Sequence, residues 1–248
     1  MKKKKRPAIG RDFMRRTQFK MMDPSDQQRN KPGPPSFFPP HPSLPLINLA
    51  DPQSIKLEDV SLSKAIDDRK SEREFLIDQS ISLDAIAYLL WTTQGVKEAD
   101  QMDAFKTVPS AGARHPFETF LLAQRVDGLD SGLYRYVGPE HKIQDLKAPK
   151  NIGETIAETN LQPEMIQTSA ATFIWSAVSY RTTWRYGDRG YRYIHLEAGH
   201  IGQNLYLASQ AVGCSVCCTA AFNDDELNRA LGLDGNDHFA VYMGTVGK

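Results

Sequence analysis

The chain lacks most of the features that announce a function unaided. Its 30 basic and 30 acidic residues cancel, so no bulk positive field exists to attract a nucleic acid. Its three cysteines all lie within 214–218, which rules out a disulfide framework and suits a reducing cytoplasm. No apolar run approaches the ~18 residues that a membrane-spanning helix needs. The MKKKKR start leads into PAIGRDFMRR and not into an apolar stretch, which argues against a secretory signal and reads as a solvated tail. GxGxxG, GxxxxGK with Ser or Thr, HExxH and GxSxG are missing, so a Rossmann site, a P-loop and the common hydrolase motifs have no local support. What remains, 40% hydrophobic and 24% charged, is the composition of an ordinary globular chain.

The stretch Tyr191 to Phe222, YRYIHLEAGHIGQNLYLASQAVGCSVCCTAAF, organises the rest. Tyr193, Leu196, His200, Gln203, Leu207 and Ala211 recur at the helical period, and 191–212 as a helix would run roughly 33 Å. Nearly every face carries an apolar or small residue, which predicts a buried helix. Gly199 and Gly202 each cost about 1 kcal/mol against alanine, so close backbone approach is expected at both. Gly213 supplies the stop, and CSVCCTAAF follows as a strand too apolar for an edge.

Residues 1–60 are proline-rich and form an expected extended arm. Phe37, Phe38, Leu44, Leu46, Ile47 and Leu49 among the prolines predict that it packs on the body or on a partner subunit. Residues 61–248 form the expected main domain. There Ser82 caps a helix ended by Gly95, FETFLLAQ is a strand, and GLYRYVGPEHKIQDL is a hairpin turning at Gly138-Pro139. Residues 150–168 read as helix, ATFIWSAVS as a buried strand and HFAVYMGTVGK as the last strand. Asn223 with Glu226 forms a capping box before DDELNRALGL.

Three segments carry possible chemistry. Arg69, Lys70, Ser71 and Arg73 in RKSEREF make either a solvated charged turn or an anion clamp, since guanidinium forks bind phosphate bidentately. TVPSAGARHPFE is either a surface turn or a small-residue loop that lets backbone approach a planar ring. YRTTWRYGDRGYRY either stacks arginines on tyrosines at the start of a helix or has a catalytic part. Cys214, Cys217 and Cys218 lack the other half of a zinc site, and read as buried structural thiols.

AGHIGQNLYLASQAVG with the small-residue run and AF after it resembles the nitroreductase-like flavoproteins, and more closely their SagB-type dehydrogenase branch, which includes the azole-forming oxidases. RKSEREF is similar to their RRSxRxF segment, with Lys70 where arginine is common, and PSAGARHP to their PSxGxxxP loop. The resemblance covers about 60–248 well and the arm loosely. It implies an α+β nitroreductase-like fold: a mixed, mainly antiparallel sheet flanked by helices, with the long helix in a homodimer core. It also implies FMN between subunits. Arg69, Lys70, Ser71, Arg73 and Lys248 would hold the phosphate and ring edge. Pro109, Ser110, Ala111, Gly112, Gln203 and the run Cys218, Thr219, Ala220, Ala221 would lie against the flavin. Arg114 and His115 either meet the substrate or order the loop. Arg185-Tyr186 stands where azole-forming oxidases carry a catalytic Lys-Tyr pair. The implied activity is hydride transfer through flavin N5 with NAD(P)H or an organic substrate as donor. The rivals are an azoline oxidase acting on a modified peptide and a flavin-binding subunit without turnover.

Overall fold

The computed structural model describes residues 8–99 and 104–248, so the basic start expected to be a solvated tail lies outside the described residues. The chain runs through α1 (Ile9–Arg16), β1 (Leu46–Asn48), α2 (Leu62–Asp68), β2 (Ile81–Ser82), α3 (Leu83–Gln94), β3 (Val96–Ala99) and β4 (Ala104–Lys106). Next come β5 (Phe117–Ala123), β6 (Val126–Asp127), the hairpin β7 (Gly132–Val137) and β8 (Lys142–Asp145), α4 (Ile152–Glu158), α5 (Pro163–Thr168) and β9 (Ala171–Val178). The last part is α6 (Ser179–Tyr186), α7 (Gly190–Ala211), β10 (Ser215–Thr219), α8 (Asp224–Leu231) and β11 (His238–Gly247). Among the described residues no helix is long and apolar enough to cross a membrane.

Local chemistry sets the element ends. The Ser82 hydroxyl accepts from Ala85 N–H at 3.1 Å to start α3, and Asn223 accepts from Glu226 N–H at 3.3 Å to start α8. Residues 150–168 are two helices rather than one, because Asn160 accepts from Gln162 N–H and Pro163 then opens α5. Gly213, at φ +59°, releases the chain from α7.

Seven strands form one sheet in the order β1-β8-β7-β5-β9-β11-β10, with every neighbouring pair antiparallel. A parallel β2–β6 pair and a β3–β4 ribbon stand apart from it. The fold is thus α+β with a mainly antiparallel sheet. Side chains alternate along β5 and β9. Leu121, Phe173 and Trp175 enter a core shared with α3 and α7, whereas Phe120, Leu122 and Ile174 enter a second core with α4, α5 and α8. Both sheet faces are covered, and every side chain from Ala171 to Ala177 is buried, Thr172 and Ser176 included.

Two expectations are corrected here. β10 is an edge strand of the sheet, not an interior one. Its apolar character reflects covered faces, and its open edge is met by the 69–76 segment, where Glu72 N–H donates to Val216 O at 2.9 Å. Secondly, α7 is not buried all round. Ile194, Glu197, Ala198, Ile201, Gly202, Leu205 and Ser209 face inward, but Leu196, His200 and Gln203 face outward, with Leu196 60% exposed. A Cβ on Gly202 would lie 2.6 Å from the Tyr242 ring, so close approach holds there, whereas Gly199 has nothing within 4 Å.

The arm runs along its own chain. Arg181 donates to Pro35 O (2.9 Å), Arg135 to Pro39 O (2.8 Å) and Trp184 to Lys31 O (3.0 Å), and β1 pairs with β8. It is not extended throughout: IGRDFMRR, free of proline, folds as α1, with Asp12 bridging Arg15 and Arg16.

Candidate functional site

One group of the expected residues gathers around Tyr206, on α7. Its hydroxyl lies 2.8 Å from Ser71 Oγ and accepts from Cys218 N–H at 2.9 Å, while the Arg69 guanidinium stands 5.3 Å over its ring. Burial pushes the Tyr206 phenol up from its ordinary pKa, so it remains a neutral clamp between the 69–73 segment and β10. Arg73 is exposed on the same segment, and among the described residues neither Arg69 nor Arg73 is ion-paired to a carboxylate. Lys70 instead contacts Glu72 at 2.6 Å. Gln203 is exposed one helical turn before Tyr206, and Ala220 and Ala221 are exposed just past β10, where Thr219 Oγ1 accepts from Ala221 N–H. The Cys218 thiol, packed under Gly202, is pushed up to about 12 by burial, so it is no thiolate nucleophile. Burial also raises Cys214 and Cys217.

Lys248 joins the 69–76 segment through its main chain, its carbonyl accepting from Leu76 N–H at 2.9 Å. Its Nζ donates to Gly213 O at 2.7 Å and Val212 O at 3.4 Å, where it caps the carbonyl end of α7.

A second group forms around the 109–115 loop. Ser110 Oγ accepts from His115 N–H at 2.9 Å, and His200 Nδ1 lies 3.3 Å from Pro109 O. Ala111–Ala113 is a single tight turn, with Gly112 at φ +58° and Ala113 at φ +53°. A Cβ on Gly112 would collide with the Tyr186 hydroxyl and lie 3.1 Å from Arg185 Nε. The structure therefore brings Gly112, Arg185 and Tyr186 together. Tyr186 is held edge-on against Tyr193 at 4.8 Å, and Arg185 leans 5.8 Å over the Tyr186 ring. The stacking expected of this arginine- and tyrosine-rich segment is thus observed beside the loop.

The two groups touch α7 at His200 and Tyr206, roughly 9 Å apart along the helix axis. Between them within this chain lies the outward face of α7 that carries Gln203. A separate cleft of about 870 Å³, between the arm (Arg16, Lys20, Asp26) and α6 (Tyr180, Thr183), contains none of these residues.

Sequence reading missed three residues. Tyr206 joins Arg69, Ser71 and Cys218, and its signal was its place three residues after Gln203. Glu197 and Lys106 are buried charges, 3% and 9% exposed. A glutamate on an otherwise apolar helix face was the one available hint.

Comparison with known proteins places this architecture among oxidoreductases. A protein of Desulfovibrio desulfuricans named as a nitroreductase and solved in complex with FMN superposes with a TM-score of 0.54 at 15% identity, covering 77% of this chain and 87% of that one. A chain of the Escherichia coli microcin synthetase McbBCD complex, with truncated pro-MccB17 bound, gives a TM-score of 0.61 at 19% identity and covers 97% of this chain and 92% of that chain. In sequence, the chain is 35% identical over 185 residues to a protein of Methanocaldococcus jannaschii named as a nitroreductase, covering 75% of this chain and 88% of that protein. It is 26% identical over 167 residues to the trifolitoxin-processing protein TfxB of Rhizobium leguminosarum bv. trifolii, covering 64% of this chain and 45% of that longer protein. The nitroreductase family profile matches residues 66–248, and the chain belongs to the nitroreductase family. The likeness to TfxB and to McbBCD accords with the SagB-type branch.

Proposed function

We propose that this oxidoreductase binds FMN and transfers hydride between an electron donor, NAD(P)H in the first instance, and an organic acceptor. The observation that carries the reading is the Arg69 guanidinium and the Ser71 hydroxyl gathered at Tyr206, with Arg73 exposed two residues on and, among the described residues, no carboxylate at ion-pair distance from either arginine. Such a donor set fits a phosphate monoester, which is doubly charged and takes bidentate contacts. FMN, when bound, supplies the hydride chemistry at its N5. Arg69, Ser71 and Arg73 would hold its phosphate and ring edge, with Lys70 close by. Gln203 and the backbone of Cys218, Thr219, Ala220 and Ala221 would lie against the ring. Lys248 would join them on leaving the Val212 and Gly213 carbonyls.

Pro109, Ser110, Ala111 and Gly112 approach α7 roughly 9 Å along the axis from Tyr206, and in this reading they meet the flavin across a second copy of the chain. The outward face of α7 with Leu196, together with Leu62 and Ile66 on α2, 66% and 55% exposed, is the apolar surface for that homodimer. The small main domain (61–248) would then form the dimer core, with the arm (1–60) wrapped along it.

Similarity to the trifolitoxin-processing protein favours a second reading, oxidation of a modified peptide. In it the Tyr186 hydroxyl, next to Gly112, would take the substrate proton. Arg185 leaves a fixed cation there and no titratable amine.

The test is an absorbance spectrum of the purified protein, before and after added FMN, followed by anaerobic titration with NADPH and NADH. The expected result is flavin bands near about 370 and 450 nm that bleach with nicotinamide. Flavin that stays oxidised would favour the peptide substrate or an inert flavin-binding subunit. Failure to take up FMN would remove the reading.

A further inference from the structure

We propose that His115 and Glu197 are a positioning pair, a buried strut from α7 that holds the 109–115 loop in the conformation in which it meets the flavin. The inference rests on the FMN reading for its consequence and on this chain's geometry for its cause. His115 and Glu197 are each 3% exposed, and His115 Nδ1 lies 3.3 Å from Glu197 Oε1. Neither atom meets hydrogen-bond geometry with any partner among the described residues, so the 3.3 Å approach of the two is the compensation each has for burial.

The loop needs such support. His115 itself has φ +42°, Ala113 φ +53° and Gly112 φ +58°, and a non-glycine residue in the left-handed region persists only where its surroundings hold it there. Three of the contacts that do so involve the strained residues themselves, while His200 meets Pro109 O at the loop's start. Ser110 Oγ accepts from His115 N–H, Arg114 Nε donates to Gly112 O at 3.0 Å, and the His115 ring is pinned to Glu197. The first two lie inside the loop. The third ties the loop to the long helix, one turn beyond Tyr193, which braces Tyr186. The ring is also faced by the Ala104 carbonyl and by Lys106 on β4, whose ammonium is bonded to Gln94 Oε1 at 2.6 Å. Burial, with the Lys106 charge, lowers the His115 pKa, although Glu197 opposes it. The lowered pKa favours the neutral imidazole, whose Nδ1 faces the Glu197 side chain at 3.3 Å.

The experiment compares wild type with His115→Leu and His115→Asn. Asparagine tolerates the left-handed backbone and can offer an N–H where Nδ1 stood. Two readouts are taken: the FMN dissociation constant by fluorescence quenching, and the rate at which trypsin nicks the flavin-free protein after Arg114. His115→Leu is expected to weaken FMN binding about tenfold and to speed nicking. His115→Asn is expected to stay within about threefold of wild type on both. Glu197→Met, which keeps the length but removes the acceptor oxygens, is expected to shift both readouts in the same direction as His115→Leu and covers the case in which the leucine variant does not fold. Wild-type affinity and nicking in His115→Leu, or equal damage in the leucine and asparagine variants, would overturn the inference. Wild type that does not bind FMN would instead overturn the FMN reading, and the nicking rates would still decide the strut.

Discussion

At Gly112 two constraints coincide: a left-handed backbone, and a neighbour, the Tyr186 hydroxyl, in the space a Cβ would fill. Gly128 carries the first without the second, with φ +78° and nothing within 4 Å. Alanine at 128 should therefore cost about 1 kcal/mol, the backbone penalty. At 112 it should cost ~2–4 kcal/mol, because overpacking adds to strain. Urea unfolding of the two variants separates the contributions. If Tyr186 and the loop act together, Gly112→Ala should also weaken FMN binding, whereas Gly128→Ala should leave it unchanged.

The long helix shows the same contrast at the scale of an element. Gly202 faces inward under Tyr242 and the Cys218 sulfur, so Gly202→Ala should destabilise by ~1–3 kcal/mol despite alanine's better helix propensity. Gly199 faces outward with nothing within 4 Å, so Gly199→Ala should stabilise the isolated chain by about 0.5–1 kcal/mol. Thermal unfolding at several protein concentrations checks both. A Gly199→Ala loss that grows with protein concentration would mean that a second copy packs on that face. The helix's periodicity was readable from the sequence. Which of its stripes faces inward was not, because small and apolar residues lie on both.

The whole molecule is tied together by a buried ionic cluster that joins strands, helices and arm. Arg181, 1% exposed, donates to Glu118 Oε1 at 2.7 Å and to Pro35 O, with Arg135 3.7 Å from the other Glu118 oxygen. Lys106 lies in the same region, and burial pulls its pKa down to about 8 although Glu118 and Glu197 oppose that. Between about 8 and 10.5 the unfolded chain keeps a lysine proton that the folded chain has lost, so this residue's contribution to stability rises with pH across that window. Below it, holding the ammonium buried costs up to about 3 kcal/mol. The stability difference, wild type minus Lys106→Met, should therefore increase by up to about 3 kcal/mol between pH ~7 and pH ~10. Chemical denaturation across that range measures it, and a flat difference would mean that Lys106 is not strained.

Local chemistry settled much of this protein before any fold was known. Ser82, Gly95, Pro163, Gly213 and Asn223 end or begin elements through contacts with near neighbours in the chain, so their signals survive in one dimension. The apolar run of β9 announced a strand covered on both faces for the same reason, that alternation depends on adjacent residues. Only the tertiary structure decided that β10 is an edge, that Lys248 caps α7, and that Tyr206, Glu197 and Lys106 matter. Each of those depends on which distant segment arrives to satisfy a buried polar group, and a local pattern does not carry that information.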